Sequence, residues 1–111
     1  EYEVAKQLED AGVTYEYEET KVEYQKPPSK YIVDFELPNG ILIETKGRFK
    51  PADRTKHLLI KQQHPELDIR FVFSNSQNTL SKKSSTTYAD WCDKNGFKWA
   101  DKQIPKDWID E

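Results

Sequence analysis

The sequence predicts an α/β fold in one domain, with a central mixed sheet flanked by helices. Residues 31–37 and 41–45 are rich in β-branched and aromatic side chains, and the turn-forming segment Pro38–Gly40 between them predicts a β-hairpin. A helical and then an alternating segment precede the hairpin, and a longer helical segment and an apolar strand follow it. The length of 111 residues is that of one small domain.

Aromatic side chains must supply much of the core, because only 35% of the residues are hydrophobic. The single cysteine excludes an internal disulfide and a cysteine-built zinc site, and it predicts a reducing, cytoplasmic setting. No apolar run is long enough to span a membrane and no signal peptide is visible, so no membrane partner is expected. The sequence has no phosphate-cradling glycine loop, and we expect no small-molecule cofactor.

Basic residues are concentrated after the hairpin, although the formal net charge is −3. A negative net charge argues mildly against a nucleic-acid partner, but the placement of charges matters more than their sum. The basic residues that could contact phosphates follow the hairpin or lie in a later polar loop: Arg48, Arg54, Lys56, Lys61, Lys82 and Lys83.

Residues 1–11 are predicted to form a helix. Their apolar residues have helical spacing from Val4 onwards, and Gly12 could end the helix. Glu1 lies one turn before this apolar stripe, and its simplest interpretation is an acid favoured by the helix dipole.

Residues 13–24 alternate between apolar and polar side chains, and this predicts a long strand. Glu16 lies on its polar face, and its simplest interpretation is a solvated surface position. The segment 26–30 is the one linker-like stretch, because its two consecutive prolines cannot donate hydrogen bonds inside a sheet. It is either a simple loop or a bridge between subunits.

Asp34 on the first strand of the hairpin, with Glu44 and Lys46 on the second, predicts a hydrolytic metal site. Carboxylate oxygens suit Mg²⁺, and Lys46 could orient the attacking water or neutralise charge on the phosphorane. Both acids can face one metal only if the turn between them has an odd number of residues. We therefore predict a three-residue loop, Pro38–Gly40, with a positive φ at Gly40. A solvated hairpin face is the alternative interpretation of the same spacing.

The chain after the hairpin is predicted to continue as a helix over 51–64, a buried strand over 68–73, a flexible polar loop over 74–85, a short helix capped by Thr86 or Thr87, a short strand over 97–99 and a final helical turn near 104–108. His57 is placed on the more polar side of the first of these helices. There it is either an ordinary surface histidine or a residue that could reach a phosphate.

Several segments carry a resemblance to known nucleases. Asp34 followed by Glu44-Thr45-Lys46 is similar to the PD-(D/E)xK nuclease pattern, with Val33 where those nucleases usually have proline. More closely, the chain resembles the endonuclease I family of T-seven-type phages, whose members resolve four-way (Holliday) DNA junctions. This resemblance extends along nearly the whole chain and is strongest in DFELPNGI at 34–41, ETKG at 44–47, KHLLI at 56–60 and QHPELDIR at 63–70.

The resemblance implies a restriction-endonuclease-like core and a Mg²⁺-dependent endonuclease that cleaves branched DNA. It further implies two ions per active site, with Mn²⁺ able to substitute. Glu1 and Glu16 are then expected to join Asp34, Glu44 and Lys46 in the active site, with Glu1 as a further metal ligand. A nuclease of the same superfamily with a different DNA substrate, or a DNA-binding module that has lost cleavage, is the alternative.

A homodimer is expected, because a four-way junction is resolved by two cuts related by near two-fold symmetry. The stiff segment 26–30 disfavours a tight reversal of the chain, and the resemblance implies that the equivalent segment bridges two subunits. We therefore predict a strand-exchanged dimer. In it, residues 1–25 of one chain complete the site that is built on residues 31–111 of the other.

Overall fold

The computed structural model describes residues 2–17, 21–24 and 29–111. The helices are α1 (Tyr2–Asp10), α2 (Pro51–Gln63), α3 (Tyr88–Asn95) and α4 (Lys106–Asp110). The strands are β1 (Glu16–Tyr17), β2 (Lys21–Tyr24), β3 (Ser29–Ile32), β4 (Phe35–Glu36), β5 (Leu42–Lys46), β6 (Ile69–Phe73) and β7 (Lys98–Asp101). None of these described helices is long and apolar enough to cross a membrane.

Five of the strands form one mixed sheet in the order β1-β4-β5-β6-β7. The strands β1, β4 and β5 are antiparallel neighbours, whereas β5, β6 and β7 run parallel. The parallel pairs are joined through α2 and α3, because parallel neighbours need a long crossover connection. The predicted α/β class, with a central mixed sheet flanked by helices, is confirmed.

The remaining strands, β2 and β3, form a separate antiparallel pair in which Lys21 lies opposite Ile32. The prediction of one long strand over 13–24 is therefore wrong, because β1 and β2 pair with different partners in different sheets. Most of the segment 26–30 lies outside the described residues. Its role as a bridge, and the exchange of residues 1–25 between subunits, stay predictions.

The predicted strand over 31–37 is interrupted at Asp34, where the chain bends between β3 and β4. The Asp34 side chain bonds to β5 instead. Its Oδ2 atom accepts hydrogen bonds from the Thr45 N–H and from the Thr45 hydroxyl, both at 2.9 Å. A side chain that satisfies a backbone donor in this way offers the chain an alternative to ladder pairing. The bend thus sets the carboxylate, rather than the main chain, against β5.

The loop between β4 and β5 contains three residues, 38–40, and its glycine has a φ of 90°. The predicted odd-length loop is confirmed. Phe35 pairs with Ile43, and Asp34 and Glu44, the residues next to this pair, line the same cleft. The two carboxylates therefore point to the same face of the hairpin.

Two apolar cores cover the two faces of the sheet, and β6 contributes to both. Its side chains alternate, so that Phe71 and Phe73 enter the core beneath α2 and α3, while Val72 enters the core beneath α1 and α4. Helix α1 contributes Val4 and Leu8, both buried, as its predicted apolar stripe requires.

His57 corrects one prediction from the sequence. It lies not on the polar side of α2 but in the core, with 0% of its surface exposed. Its ring packs edge-on against Tyr31 and Phe71, with centroid distances of 5.1 and 4.8 Å. It is one turn before the buried Ile60, and this i, i+3 spacing places both on the inner face of the helix. A side chain without exposed surface does not reach a phosphate in this structure.

Candidate active site

A cleft with a volume of about 660 Å³ lies at the carboxyl ends of the three parallel strands. The register aligns Lys46, Phe73 and Asp101, the last residues of β5, β6 and β7. In open α/β sheets, ligands bind outside this edge. Residues from the strand ends, from the hairpin and from α1 line the cleft, among them Glu3, Asp34, Glu44, Lys46, Ser74 and Lys102.

Asp34 is held by β5, because both donors of Thr45 bind its Oδ2 atom. These two hydrogen bonds fix the orientation of the carboxylate without neutralising its charge. Its side chain stays partly exposed and borders the cleft. The predicted site residue is therefore placed where it could hold a hard cation through an oxygen.

Glu44 is buried, with only 4% of its surface exposed. Its Oε2 atom accepts a hydrogen bond from the Tyr31 hydroxyl at 2.6 Å, and its Oε1 atom lies 3.4 Å from the Lys46 Nζ atom. Tyr31 is itself buried, at 2% exposure. The pair of contacts holds the carboxylate in one orientation, with Tyr31 and Lys46 on different oxygens.

The pKa of Glu44 is raised from 4.5 to about 7. Burial is the largest cause, and the nearby negative charge of Asp34 is the second. The Tyr31 hydroxyl and the ammonium groups of Lys46 and Lys56 lower the pKa, but they do not offset the first two effects. The ionised form of Glu44 is therefore costly in the free protein, and a divalent cation beside it would favour that form.

Lys46 bridges two acids, because its Nζ atom lies 3.4 Å from Glu44 Oε1 and 3.4 Å from Asp53 Oδ1. Asp53 also caps α2 by accepting the Lys50 N–H at 3.1 Å. Burial alone would raise the pKa of Asp53. The charge of Lys46 and the Lys50 N–H outweigh this effect, so the pKa is lowered from its ordinary value. Asp53 is thus an ionised anchor that fixes the position of Lys46, a role that the sequence analysis missed.

The predicted metal ligands are brought together in part. Asp34 and Glu44 meet at the cleft, but within the described residues no group of three or more acidic, histidine or cysteine side chains forms a metal cluster. Glu1 lies outside the described residues, and of Glu16 in β1 only the backbone, paired with Glu36 of β4, is described. Oxygen donors and unbalanced negative charge suit Mg²⁺. The residues present therefore fit the predicted cation.

The residues predicted to contact DNA differ in how available they are. Arg48, Lys82 and Lys83 are exposed. Arg54 donates to the Phe49 carbonyl at 2.6 Å, so this guanidinium is bonded to the connection between β5 and α2. Lys61 is exposed and donates to the Gly96 carbonyl at 3.1 Å, and Lys56 lies over the Tyr31 ring with 5.2 Å between Nζ and the ring centroid. With the exception of His57, these contacts to DNA stay predictions.

Tyr31, Glu3 and Lys102 are site residues that the sequence analysis did not single out. Tyr31 resembles any aromatic residue that begins an apolar strand, and nothing in the sequence shows that its hydroxyl meets Glu44. Glu3 and Lys102 reach the cleft from α1 and from the end of β7. Their position at the cleft depends on how α1 and β7 pack in the folded chain, and local spacing in the sequence does not show this.

Comparison with known proteins gives a consistent result. A family model described as phage endonuclease I matches residues 1–111. Endonuclease I of Escherichia phage T7 is 57% identical over 110 residues, which cover 97% of this chain and 74% of that protein. Endodeoxyribonuclease 1 of Enterobacteria phage T3 is 55% identical over 104 residues, which cover 92% of this chain and 68% of that protein.

Proposed function

Because this chain belongs to the phage endonuclease I family, we propose that it is a metal-dependent DNA endonuclease that cuts branched DNA, above all four-way junctions. The observation that carries the proposal is the meeting of Asp34 and Glu44 at one cleft, with the Lys46 ammonium 3.4 Å from a Glu44 oxygen. DNA as the substrate class is supported by the names of both relatives, which are an endonuclease and an endodeoxyribonuclease. We expect the protein to act in the cytoplasm of the host cell, because both relatives are phage proteins.

The cofactor we propose is Mg²⁺, with two ions per active site and Mn²⁺ able to replace them. Asp34 and Glu44 are the described residues that would hold the metal, and Glu1 is the third ligand expected from the resemblance. A divalent cation at this place would supply Lewis acidity towards a phosphate and a bound water. The raised pKa of Glu44 supports a cation here, because burial and the charge of Asp34 disfavour the ionised carboxylate and a bound cation would favour it.

The protein's own residues have separate roles in the proposed reaction. The Thr45 donors hold the Asp34 carboxylate, and the Tyr31 hydroxyl holds the Glu44 carboxylate. Lys46 supplies positive charge beside these two carboxylates. It would orient the attacking water or neutralise charge that develops on the phosphorane. This constellation on a hairpin beside a parallel sheet is also what leads us to propose a restriction-endonuclease-like core.

We further propose a homodimer with composite active sites. Two cuts across a junction need two sites in matching positions, and a two-fold dimer provides them. In this arrangement residues 1–25 are exchanged across the segment 26–30. Glu1 and Glu16 of one chain then complete the site that contains Asp34 of the other.

The experiment that tests the activity compares a four-way junction, a nicked duplex and a plain duplex of matched sequence. Each is incubated with the protein in Mg²⁺, in Mn²⁺ and in chelator. We expect cleavage of the junction in either metal and none in chelator. Asp34→Asn is expected to abolish cleavage and to keep or tighten junction binding, because it removes a ligand charge and the crowding of like charges. Preferred cleavage of the plain duplex would point to a different substrate, and binding without cleavage would point to a DNA-binding module.

The composite sites are tested by mixing two inactive variants. A Glu16→Gln chain co-refolded with an Asp34→Asn chain forms a heterodimer with one doubly altered site and one intact site, provided that the sites are shared. Such heterodimers should nick a single strand of the junction. Inactive heterodimers, or a monomer by light scattering at micromolar concentration, would mean that each site is built within one chain.

A further inference from the structure

Lys102 has an unusual backbone conformation at the edge of the cleft. Its φ is 66°, and it is the only described residue other than glycine with a positive φ. The Gln103 N–H donates to the Asp101 carbonyl at 2.7 Å, which closes a three-residue turn centred on Lys102. Such turns with positive φ are rare and strained, and strained residues persist where the surrounding structure fixes them, most often at functional sites.

The surrounding hydrogen bonds hold this turn on both sides. Before it, Asp101 accepts the Ser76 N–H and the Ser76 hydroxyl, both at 2.7 Å, and Ser76 is fully buried. At the turn, the Lys102 N–H donates to the Phe73 carbonyl at 2.7 Å. After it, the Gln7 side chain both donates to and accepts from the Ile104 backbone, at 2.8 and 2.9 Å. The strained turn is thus fixed by β6, by the loop after it and by α1.

The turn places Lys102 among the residues that line the cleft. Lys102 follows β7 directly, as Gly47 follows β5 and Ser74 follows β6, and all three line the cleft that contains Asp34. Lys46 is engaged by two carboxylates, whereas the Lys102 ammonium has no ion pair with another described residue. Because no described acid engages this ammonium, the described part of the chain leaves it available to bind an anion.

We propose that Lys102 is a phosphate-binding residue of the active site, which contacts a DNA backbone phosphate next to the bond that is cut. This inference rests on the proposed function, since it assigns a residue to the same cleft. Asp34, Glu44 and Glu3 give the cleft a negative lining, which would repel the DNA backbone unless cations oppose it. Lys102 supplies such a charge from the protein itself, at the sheet edge where ligands bind.

The test separates the side chain from the backbone that carries it. Lys102→Gly removes the ammonium and accepts the positive φ without strain, so its melting temperature should equal that of the wild type or exceed it by up to roughly 4 °C. Its kcat/KM for a four-way junction in Mg²⁺ should nevertheless fall about 10- to 100-fold, the usual effect of losing one charge-assisted hydrogen bond. Lys102→Asn, which also tolerates positive φ, should behave alike, and Lys102→Arg should keep most of the activity.

Binding gives an independent measurement. In the Asp34→Asn background and in chelator, we measure the slope of the logarithm of junction affinity against the logarithm of salt concentration. Lys102→Gly should reduce the size of this slope by about one, which corresponds to the loss of one phosphate contact. Lys94→Gln, at an exposed lysine of α3 that does not line the cleft, is the matched control and should change neither measurement. A Lys102→Gly variant with cleavage within twofold of the wild type and an unchanged salt slope would show that Lys102 is only a turn residue. A wild-type protein that cleaves no branched DNA would instead overturn the proposed function, and the salt slope would still decide the role of Lys102.

Discussion

Glu44→Gln should make the metal-free protein more stable at neutral and alkaline pH, although it removes a residue of the proposed active site. The pKa of Glu44 is raised from 4.5 in the unfolded chain to about 7 in the folded one. Between these two values the folded state keeps a proton that the unfolded state has released. The stability of the wild type therefore falls as the pH rises through this window, and above pH 7 the full cost is present.

The size of the effect follows from the same pKa values. A rise from 4.5 to about 7 corresponds to about 3 kcal/mol of lost stability at pH 8. Glutamine has nearly the same shape and can still accept the hydrogen bond from Tyr31, so little packing is lost. Lys46 loses one ionic partner but keeps Asp53. For a domain of this size, about 3 kcal/mol is roughly 10 °C in melting temperature.

The assay is urea and thermal unfolding in chelator at pH 5 and at pH 8, with equal protein concentrations. At pH 5 the difference should shrink to below about 1 kcal/mol, because this pH lies only slightly above the unfolded pKa of 4.5, and at pH 8 the variant should be more stable by the full amount. Asp110→Asn, at an exposed acid near the end of α4, is the control and should stay within about 0.5 kcal/mol of the wild type at both pH values. Addition of Mg²⁺ should stabilise the wild type more than Glu44→Gln, because the variant lacks one carboxylate of the proposed ligand set. A variant that is no more stable than the wild type at pH 8 would refute the view that burial and Asp34 make ionised Glu44 costly.

Three further predictions concern neighbours of this site. His57→Phe should be more stable than the wild type by about 3 kcal/mol at pH 4 in urea unfolding. Burial lowers the pKa of His57 from 6.5 to about 3, so the wild type loses stability as the pH falls below 6.5. Equal acid sensitivity of both proteins would contradict this. Tyr31→Phe should raise the Mg²⁺ concentration for half-maximal cleavage by about 10- to 100-fold, because it frees the carboxylate of Glu44 that the hydroxyl orients; an unchanged metal titration would count against this role. Lys46→Ala should lower the turnover rate while leaving that Mg²⁺ concentration nearly unchanged, and a large shift in it would make Lys46 part of metal binding.

The hairpin was predictable from sequence because its determinants are local. Three turn residues, 38–40, fix the parity of the loop, and parity decides whether Asp34 and Glu44 share a face. The interruption of the strand at Asp34 was not predictable in the same way. It depends on a side chain that binds Thr45 of another strand, and a run of β-branched and aromatic residues carries no information on such a bond.

His57 shows why the burial of a helix face is harder to predict than the helix itself. Pro51 at the first position and the spacing after it define the helix α2. Which of its polar residues turns inward depends on the aromatic rings of β3 and β6 beneath it, and these come from segments on both sides in the sequence. Neither ring nitrogen of His57 has a hydrogen-bond partner among the described residues. A prediction from sequence must assume that buried polar groups have hydrogen-bond partners, and His57 departs from this rule.

The candidate active-site cleft adds a conflict that local patterns do not show. Asp34 and Glu44 are placed together by a hairpin whose turn chemistry favours that register, while the same register buries a carboxylate beside a like charge. Natural sequences are locally consistent with their folds, and departures from this consistency concentrate at functional sites. The strained turn at Lys102 is a second departure at the same sheet edge. Both place charge where a phosphate and a divalent cation would be bound, so the features that cost the free protein stability are the ones that a ligand would relieve.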